Sequence, residues 1–414
     1  MKDNSEFRRD RAWQIVLAAT VGCAFGLTAL PFYTLGMVAK PLAAEFGWGR
    51  AVAQSGIVFS ALGVLSSAWL VGALIDRYGP RRVALFSQFG LALGFVGFAI
   101  QSGTPTWWYA NWFVLAVFGV GTTPITWSRG VAAWFERQRG LALGLGLMGT
   151  GVTAFAAPPL MGAAIATYGW RWGYAGIAIA IVLIALPTTY FLFRERASVD
   201  DATGKAGPAS RPESLEATGV TLGEAVRGYR FWVLVVVFFF TAGVPSGLIP
   251  NVVPMLTDGG MTVTQAAGYA SLIGVFVIAG RLLAGWLLDR LWAPIVGAIV
   301  MMPTAIACWL LEAQTMPALA AAFIGLAGGA EFDLMAYILV KYFGMRHYGK
   351  IYAWQWASFT IAAGVGPLLL GRIYDATGTY AAALAAAAIA MLIAPLLLFT
   401  LGPYTQRAGH GASH

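Results

Sequence analysis

Charge is scarce in this chain of 414 residues: Asp, Glu, Lys and Arg make up 11% of it, against 59% apolar residues. A water-soluble domain could not stay dissolved with so little polar surface, and the mean hydropathy of +0.72 excludes that class. Cysteine is nearly absent. Cys23 and Cys308 both lie inside apolar runs, where they read as small packing residues, and no disulfide or metal framework follows from them. Histidine is missing from the apolar part altogether, since His347 stands in a short loop and His410 and His414 in the tail. Proton chemistry in an apolar interior therefore falls to carboxylates, and no metal or other cofactor is expected.

Long apolar runs are what the chain has instead. A bilayer core about 30 Å thick takes roughly 20 residues of helix. Twelve runs of that kind fall at 13–38, 51–75, 82–101, 106–133, 140–166, 170–193, 229–256, 264–288, 292–312, 316–343, 350–374 and 378–402. They are too long and too seldom alternating for barrel strands. The sequence thus predicts an all-α integral membrane protein with twelve transmembrane helices. No cleavable signal stands out ahead of the first run, and MKDNSEFRRDRAW reads as a cytoplasmic lead. An even number of spans then puts both termini inside. The basic residues agree: of 26 Lys and Arg, only Lys40, Arg50, Arg171 and Arg372 fall outside, while Arg129 and Arg281 lie within spans. The net charge of +8 is this asymmetry, not a nucleic-acid footprint.

The longest polar stretch, 194–228, is rich in Ala, Gly, Pro, Ser and charge, and reads as a cytoplasmic linker with a short surface helix near TLGEAVRGYR. It divides the chain into six-span halves at 1–193 and 229–414. These are related to each other. GALIDR from Gly72 recurs as GWLLDR from Gly285, so that Asp76 and Arg77 pair with Asp289 and Arg290 at one offset of 213 residues. WFERQRG from Trp134 and YFGMRHYG from Tyr342 give a second match at an offset of 208. Two matches in the same order point to duplication, the parallel-repeat plan in which substrate sits near the bilayer midplane between the halves.

The stretch containing Gly72, Asp76, Arg77, Gly79, Arg81 and Arg82, GALIDRYGPRR, resembles the G-x-L-x-D-R-x-G-x-R-R signature that the major facilitator superfamily carries between spans two and three. Its glycine suits a tight turn, its aspartate can hold a neighbouring helix end, and its arginines suit an anionic inner leaflet, so the resemblance implies structural gating. Trp134, Phe135, Arg137, Arg139, Leu141, Ala142 and Gly144 through Gly149 resemble, in register, the Y-F-x-K-R-R-x-L-A-x-G…G segment of monocarboxylate transporters. Arg281 followed by Gly285 is similar to that family's eighth-span arginine, which implies contact with a substrate carboxylate. With Glu45-Phe46-Gly47-Trp48 after the first span, the likeness is to the bacterial branch near the oxalate/formate exchangers, and implies a bacterial cytoplasmic (inner) membrane. There are departures. The acidic-Gly-Gly-Trp-Gly-Trp opening is replaced by Arg11-Ala-Trp13, Tyr33 stands where the animal proteins have a first-span lysine, and the eleventh span offers Gln355, Ser358 and Thr360 but no lysine. With only one deep cation, a singly charged acid suits the chain better than oxalate.

Arg281 sits in SLIGVFVIAGRLLAGWLLDR, roughly 9 Å above the inner end of its span at ~1.5 Å per residue. An arginine at a helix centre costs roughly 2.5–3.5 kcal/mol even on insertion scales. The related position in the first half holds Ala68, so the architecture does not demand the charge. A guanidinium can grip a carboxylate by two parallel hydrogen bonds, which favours an anion site; a purely structural ion pair stays open as the alternative. Its candidate partners are Glu331 and Asp333 in GLAGGAEFDLMAY, both near mid-bilayer. Two residues apart on a helix is about 200°, so one faces a cavity while the other braces a neighbouring helix, and the sequence does not choose. Asp333, Tyr337 and Lys341 form one polar stripe. In the scheme that follows, a carboxylate neutralises Arg281 in the empty carrier. A substrate anion then takes over the arginine, and the released carboxylate takes up a proton and crosses with it.

Tyr33, Thr34, Thr123, Asn251, Gln355 and Ser358 complete the candidate substrate-binding set, although Ser and Thr often bond their own helix backbone. Thr122, Thr126 and Ser246 could orient substrate in the same way. Arg129 is placed to snorkel to the interface, and Pro245, Pro250 and Pro254 mark a span that bends. Gly144, Gly146 and Gly149 spell GxGxxG, but with no strand before them and no acid after them they read as a packing face. The expected function is secondary active transport of small organic anions, foremost a monocarboxylate moved with a proton by alternating access. Anion exchange of the oxalate/formate type, or export of drugs or neutral solutes in the same fold, are the alternatives. No loop is large enough for a catalytic domain and no nucleophile–base pair lies in the spans, which argues against an enzyme. The expected partners are a small carboxylate, protons or a counter-anion, and the bilayer, around a monomer.

Overall fold

The computed structural model describes residues 4–132, 134–135, 139–194, 219–344 and 346–404. Most of the expected linker (195–218) and Arg137 of the WFERQRG match lie outside the described residues. Helices cover each of the twelve expected segments. The first is α1 (Asn4–Ala24) with α2 (Leu30–Phe46). α3 (Arg50–Tyr78) and α4 (Pro80–Ala99) are joined by Gly79 alone, whose φ of 82° is strained for any other residue, and Pro80 starts the next helix with its φ already set. The fourth segment is α5 (Pro105–Gly119) and α6 (Pro124–Ala132), and the fifth is α7 (Arg139–Leu147) and α8 (Gly149–Tyr168). α9 (Trp170–Ala180) and α10 (Leu186–Leu192) are joined by a π turn at Ile181–Ala185.

A short helix, α11 (Leu222–Arg227), falls within the TLGEAVRGYR stretch and begins with a capping box between Thr221 and Glu224. Beyond it come α12 (Tyr229–Asp258), α13 (Val263–Leu288), α14 (Ala293–Met301) with α15 (Pro303–Glu312), α16 (Pro317–Phe343), α17 (Tyr348–Thr377) and α18 (Ala381–Leu397). Among the described residues, nine helical stretches are long and apolar enough to cross a membrane. Their outward faces carry large apolar side chains with nothing over them, as at Leu160, Leu183, Leu282 and Trp309. Such a surface suits lipid, not water.

Two of the expected spans differ from their sequence reading in a shared way. The run at 13–38 is one apolar stretch, yet α1 ends at Ala24 and α2 starts at Leu30; the run at 106–133 is likewise broken at Val120–Thr123. The two breaks meet. The backbone N–H of Leu27 donates to Thr122 Oγ1 at 2.9 Å, Thr122 Oγ1 donates to the Gly119 carbonyl at 2.7 Å, and Trp127 Nε1 donates to the Thr122 carbonyl at 2.8 Å. The Leu27 N–H freed by the first break is thus answered by the second, and the carbonyls freed by the second are answered by its own side chains, the condition for breaking a helix at membrane depth. Gly26 makes this approach feasible, because a Cβ there would lie 2.8 Å from the Thr122 carbonyl oxygen.

Helices of residues 4–194 meet helices of residues 229–404 along three seams: α2 against α12, α3 against α17, and α8 against α13. The third is a close one. A Cβ on Gly274 of α13 would lie 2.2 Å from the Phe155 backbone nitrogen and 2.5 Å from the Gly151 carbonyl oxygen of α8. Backbone therefore packs on backbone, as small residues allow in membranes. Gly274→Val should force these helices apart and cost about 1–3 kcal/mol by overpacking, read as a fall of several degrees in the thermal midpoint of detergent-purified protein. Gly268→Val, on the same helix with nothing within 4 Å of its Cβ position, should leave the midpoint unchanged.

Candidate functional site

Arg281 lies on α13 and both Glu331 and Asp333 on α16, the helix packed along it. Gly329 sets their spacing: a Cβ there would lie 2.1 Å from the Val277 carbonyl oxygen and 3.0 Å from the Arg281 nitrogen. At that approach Arg281 Nε stands 3.5 Å from Asp333 Oδ2, with the two side chains 20% and 40% exposed. Arg281 Nη1 donates to the Leu147 carbonyl, also at 3.5 Å. Leu147 is the last residue of α7, where a helix presents its partial negative charge. Both contacts are long, and Arg281 Nε has no hydrogen-bond partner among the described residues. The guanidinium is neutralised but loosely held.

Glu331 takes the other side of α16. It is 6% exposed, and its Oε2 has no hydrogen-bond partner among the described residues. Of the two acids, then, Asp333 pairs with Arg281 at an accessible place and Glu331 is enclosed. Half-buried Tyr33 of α2 lies within electrostatic range of both Glu331 and Arg281, and Cys23 of α1 within range of Arg281. Tyr352 of α17, absent from the sequence-based set, lies within range of Asp333.

The other candidates are held more conventionally. Thr34 donates to the Leu30 carbonyl of its own helix at 2.7 Å. Thr123 is buried at the α5–α6 break with its hydroxyl unpartnered among the described residues. Gln355 Nε2 and Ser358 Oγ donate to the Phe231 and Val235 carbonyls of α12 at 3.3 and 3.2 Å. Asn251 is placed elsewhere. Its Nδ2 donates to the Gly247 carbonyl at 2.8 Å, and its Oδ1 accepts from Tyr380 at 3.0 Å and from Gln54 at 3.3 Å.

Comparison with known proteins gives the family and the fold. Residues 21–330, more than half of the chain, match the Major Facilitator Superfamily. The chain belongs to that superfamily. It is a multi-pass membrane transporter and not an enzyme. Human monocarboxylate transporter 11 is 28% identical over 396 residues, covering 90% of this chain and 79% of that protein. A Thermoproteus tenax protein described as an uncharacterized 38 kDa protein in the 23S RNA operon is 26% identical over 94% of this chain and 95% of its own. The fold matches the crystal structure of a bacterial homologue of the human lysosomal transporter Spinster, with a TM-score of 0.70 at 18% identity, covering 95% of this chain and 96% of that one.

The superfamily signature lies at one end of the bundle. Gly72 and Asp76 are on the last two turns of α3, and Arg77, Arg81 and Arg82 line a cleft of 880 Å³ together with Arg194. Arg81 crosses it, donating to the Tyr190 carbonyl at 2.6 Å. In the related motif Asp289 follows the last residue of α13, and Arg290 donates to the Trp286 carbonyl at 3.0 Å with its guanidinium 4.2 Å over the Trp286 ring.

At the opposite end is a charged network that sequence reading missed. Asp258, at the end of α12, accepts Lys40 Nζ at 2.9 Å and Arg50 Nη2 at 2.6 Å. Arg50 also donates to Tyr380 and stands 3.6 Å over the Tyr374 ring, while Asp375 of α17 caps α3 by accepting the Arg50 and Ala51 backbone N–H groups at 2.8 Å each. Asn251 joins this network through Tyr380. The only sequence signal was several lone charges at the outer ends of apolar runs, which say nothing of partners 208 residues apart. Nearby, Glu45 accepts Trp170 Nε1 at 2.8 Å and pairs with Arg171 at 2.6 Å.

Asp258→Asn removes the charge that holds Lys40 and Arg50 to α12, so this end should open more often. Maleimide labelling of a cysteine at Met255, 2% exposed in the native protein, should speed up several-fold in that background. Glu45 carries a pH signature. Burial pushes its carboxyl up, but the hydrogen bonds from Trp170 and Arg171 and the Arg171 charge outweigh burial and hold it below the ordinary range. Its stabilisation is therefore complete above the unfolded value of about 4.3 and lost as pH falls through the folded one. The midpoint difference between wild type and Glu45→Gln should be constant from neutral pH down to about 5, shrink as pH falls through the unfolded value of about 4.3, and vanish only below the lower folded one.

Proposed function

We propose that this transporter moves small organic anions by secondary active transport, foremost a monocarboxylate carried together with a proton. The observation that carries this reading is the loosely held Arg281–Asp333 pair, with both guanidinium contacts at 3.5 Å, beside an enclosed Glu331. A buried charge needs a counter-charge, but this one keeps donors that a bidentate carboxylate could take over. When a substrate anion does so, Asp333 loses its partner. A carboxylate left beside negative charge in a low-dielectric site is far costlier than the neutral acid, so it binds a proton and the loaded site becomes neutral enough to reorient. Glu331, within electrostatic range of the same arginine, is the second proton-coupling residue. Tyr33 and Thr123 are the polar groups nearest in kind to a substrate contact. The names of the monocarboxylate transporter relatives support the carboxylate class.

In this reading the six-span units 1–193 and 229–414, joined by the linker 194–228, rock about a site between them. The signature motifs around Asp76, Arg77, Asp289 and Arg290 gate the cytoplasmic end, and the Asp258–Arg50 network closes the outer end. Lys/Arg asymmetry supports both termini inside, the likeness to the bacterial branch supports a bacterial cytoplasmic membrane location, and the unit is taken to be a monomer.

Uptake of radiolabelled monocarboxylates into proteoliposomes should be at least several-fold faster with the outside at pH 5.5 than at pH 7.5. Arg281→Gln should lower it at least tenfold, and Asp333→Asn should remove the pH dependence. Equal uptake at both pH values would end the symport reading in favour of exchange, and transport that survives Arg281→Gln would end the anion reading.

A further inference from the structure

One face of α17 carries Tyr348, Tyr352, Trp356 and Phe359, spaced by four, four and three residues so that the rings form a single strip. Neighbouring ring centroids along it are 5.6, 6.1 and 5.4 Å apart, and the last two pairs are stacked within 16° of parallel. Phe332 of α16 closes on its upper end, 5.3 Å from Trp356 and 4.9 Å from Phe359.

The surroundings of α17 fix which way the strip looks. Trp354 and Ile361, about half a turn away, are 55% and 47% exposed on the outer surface. Gln355 and Ser358 on the flank bond to the α12 backbone. The strip therefore faces the interior, towards α16. There its rings remain only half-buried. Phe332 directly precedes Asp333, and Tyr352 lies within electrostatic range of that carboxylate. An apolar wall about 16 Å long, at ~1.5 Å per residue, thus runs up to the ion pair of Arg281.

A one- to three-carbon acid, hydrated and almost wholly polar, would make no use of such a wall. Aromatic rings left half-covered beside an ion pair gain most from a solute that brings its own ring, through apolar burial and offset or edge-to-face contact. Building on the anion reading above, we propose that the solute is an aryl carboxylate, with the carboxylate on Arg281 and the ring on the Trp356 strip. Phe332, Tyr352, Trp356 and Phe359 are then specificity residues and Arg281 the anchor.

The test uses full-length purified protein and thermal-shift titration with phenylacetate, indole-3-acetate, acetate and the neutral phenylacetamide. The two aryl acids should reach half-maximal stabilisation at least tenfold below acetate. Trp356→Ala should shrink that ratio at least fivefold without moving the acetate value, while Trp356→Phe retains most of it; Phe332→Leu serves in the same way should the alanine variant not fold. Acetate acting as well as the aryl acids, or both classes weakened equally by loss of the ring, overturns the aryl assignment alone. Phenylacetamide matching phenylacetate, or aryl acids still acting on Arg281→Gln, overturns the anion reading beneath it. Stabilisation by no acid at all overturns both.

Discussion

A guanidinium among apolar helices has to be answered by negative charge, and the way Arg281 is answered governs the rest of this molecule. Asp333 stands at 3.5 Å, the carboxyl end of α7 offers Leu147 at the same distance, and Nε goes without a hydrogen bond among the described residues. Those contacts offset the cost of placing an arginine at membrane depth without saturating its five donors. A bidentate pair would have been a rigid brace. The arrangement found keeps the charge tolerable and still leaves it something to bind.

Such a balance survives only if the helices carrying the two charges cannot drift. Here side chains do little of the holding. Gly329 brings the α16 backbone against the Val277 carbonyl within a turn of Arg281, and Gly274 brings the α13 backbone against Gly151 and Phe155 of α8. Leu147, at the α7 end, directly precedes the Met148–Gly149 joint where α8 begins. The arginine is thus positioned from both sides by backbone contacts that no rotamer change can relax. The same economy recurs where α1–α2 and α5–α6 break together, with Thr122 serving both breaks.

Much of this was legible in the sequence, for identifiable reasons. Helix positions follow from apolar run length because a bilayer leaves the backbone no partner but itself, and the Gly79–Pro80 turn follows from two residues with restricted or unusual φ. Arg281 stood out because charge inside such a run is expensive. The breaks at Phe25 and Val120 were only partly readable: Gly26 and Pro31, and Gly121 and Pro124, flank them in the sequence, but what satisfies the interruption is a hydrogen bond between residues 95 apart. The Arg50–Asp258–Asp375 network was hidden likewise, since pairing between ends of distant helices leaves no local spacing. The choice between Glu331 and Asp333 needed the position of α13. The aromatic strip on α17 was hidden differently: at helical spacing in a membrane span, Tyr352 and Trp356 look like lipid-facing or core rings until the opposite face is seen to be the outer one.

The ends and the middle of the bundle are joined by different physics, and on the proposed mechanism this difference decides what moves. At the end away from the signature motifs α3 is tied to α12 and α17 by ion pairs and a carboxylate cap, contacts that water can replace at small net cost when they part. Along the α8–α13 seam the contact is backbone on backbone at Gly274, with the apolar Ile278 side chain laid against Gly151. A seam of that kind can tilt but separates only by exposing apolar surface. Opening is therefore cheapest as rotation about the glycine contacts with the charged end coming apart. Because Arg281 bonds across to Leu147 next to that pivot, replacing Asp333 by a substrate anion exchanges the arginine's counter-charge at the hinge itself, where a small change in geometry is carried to both ends.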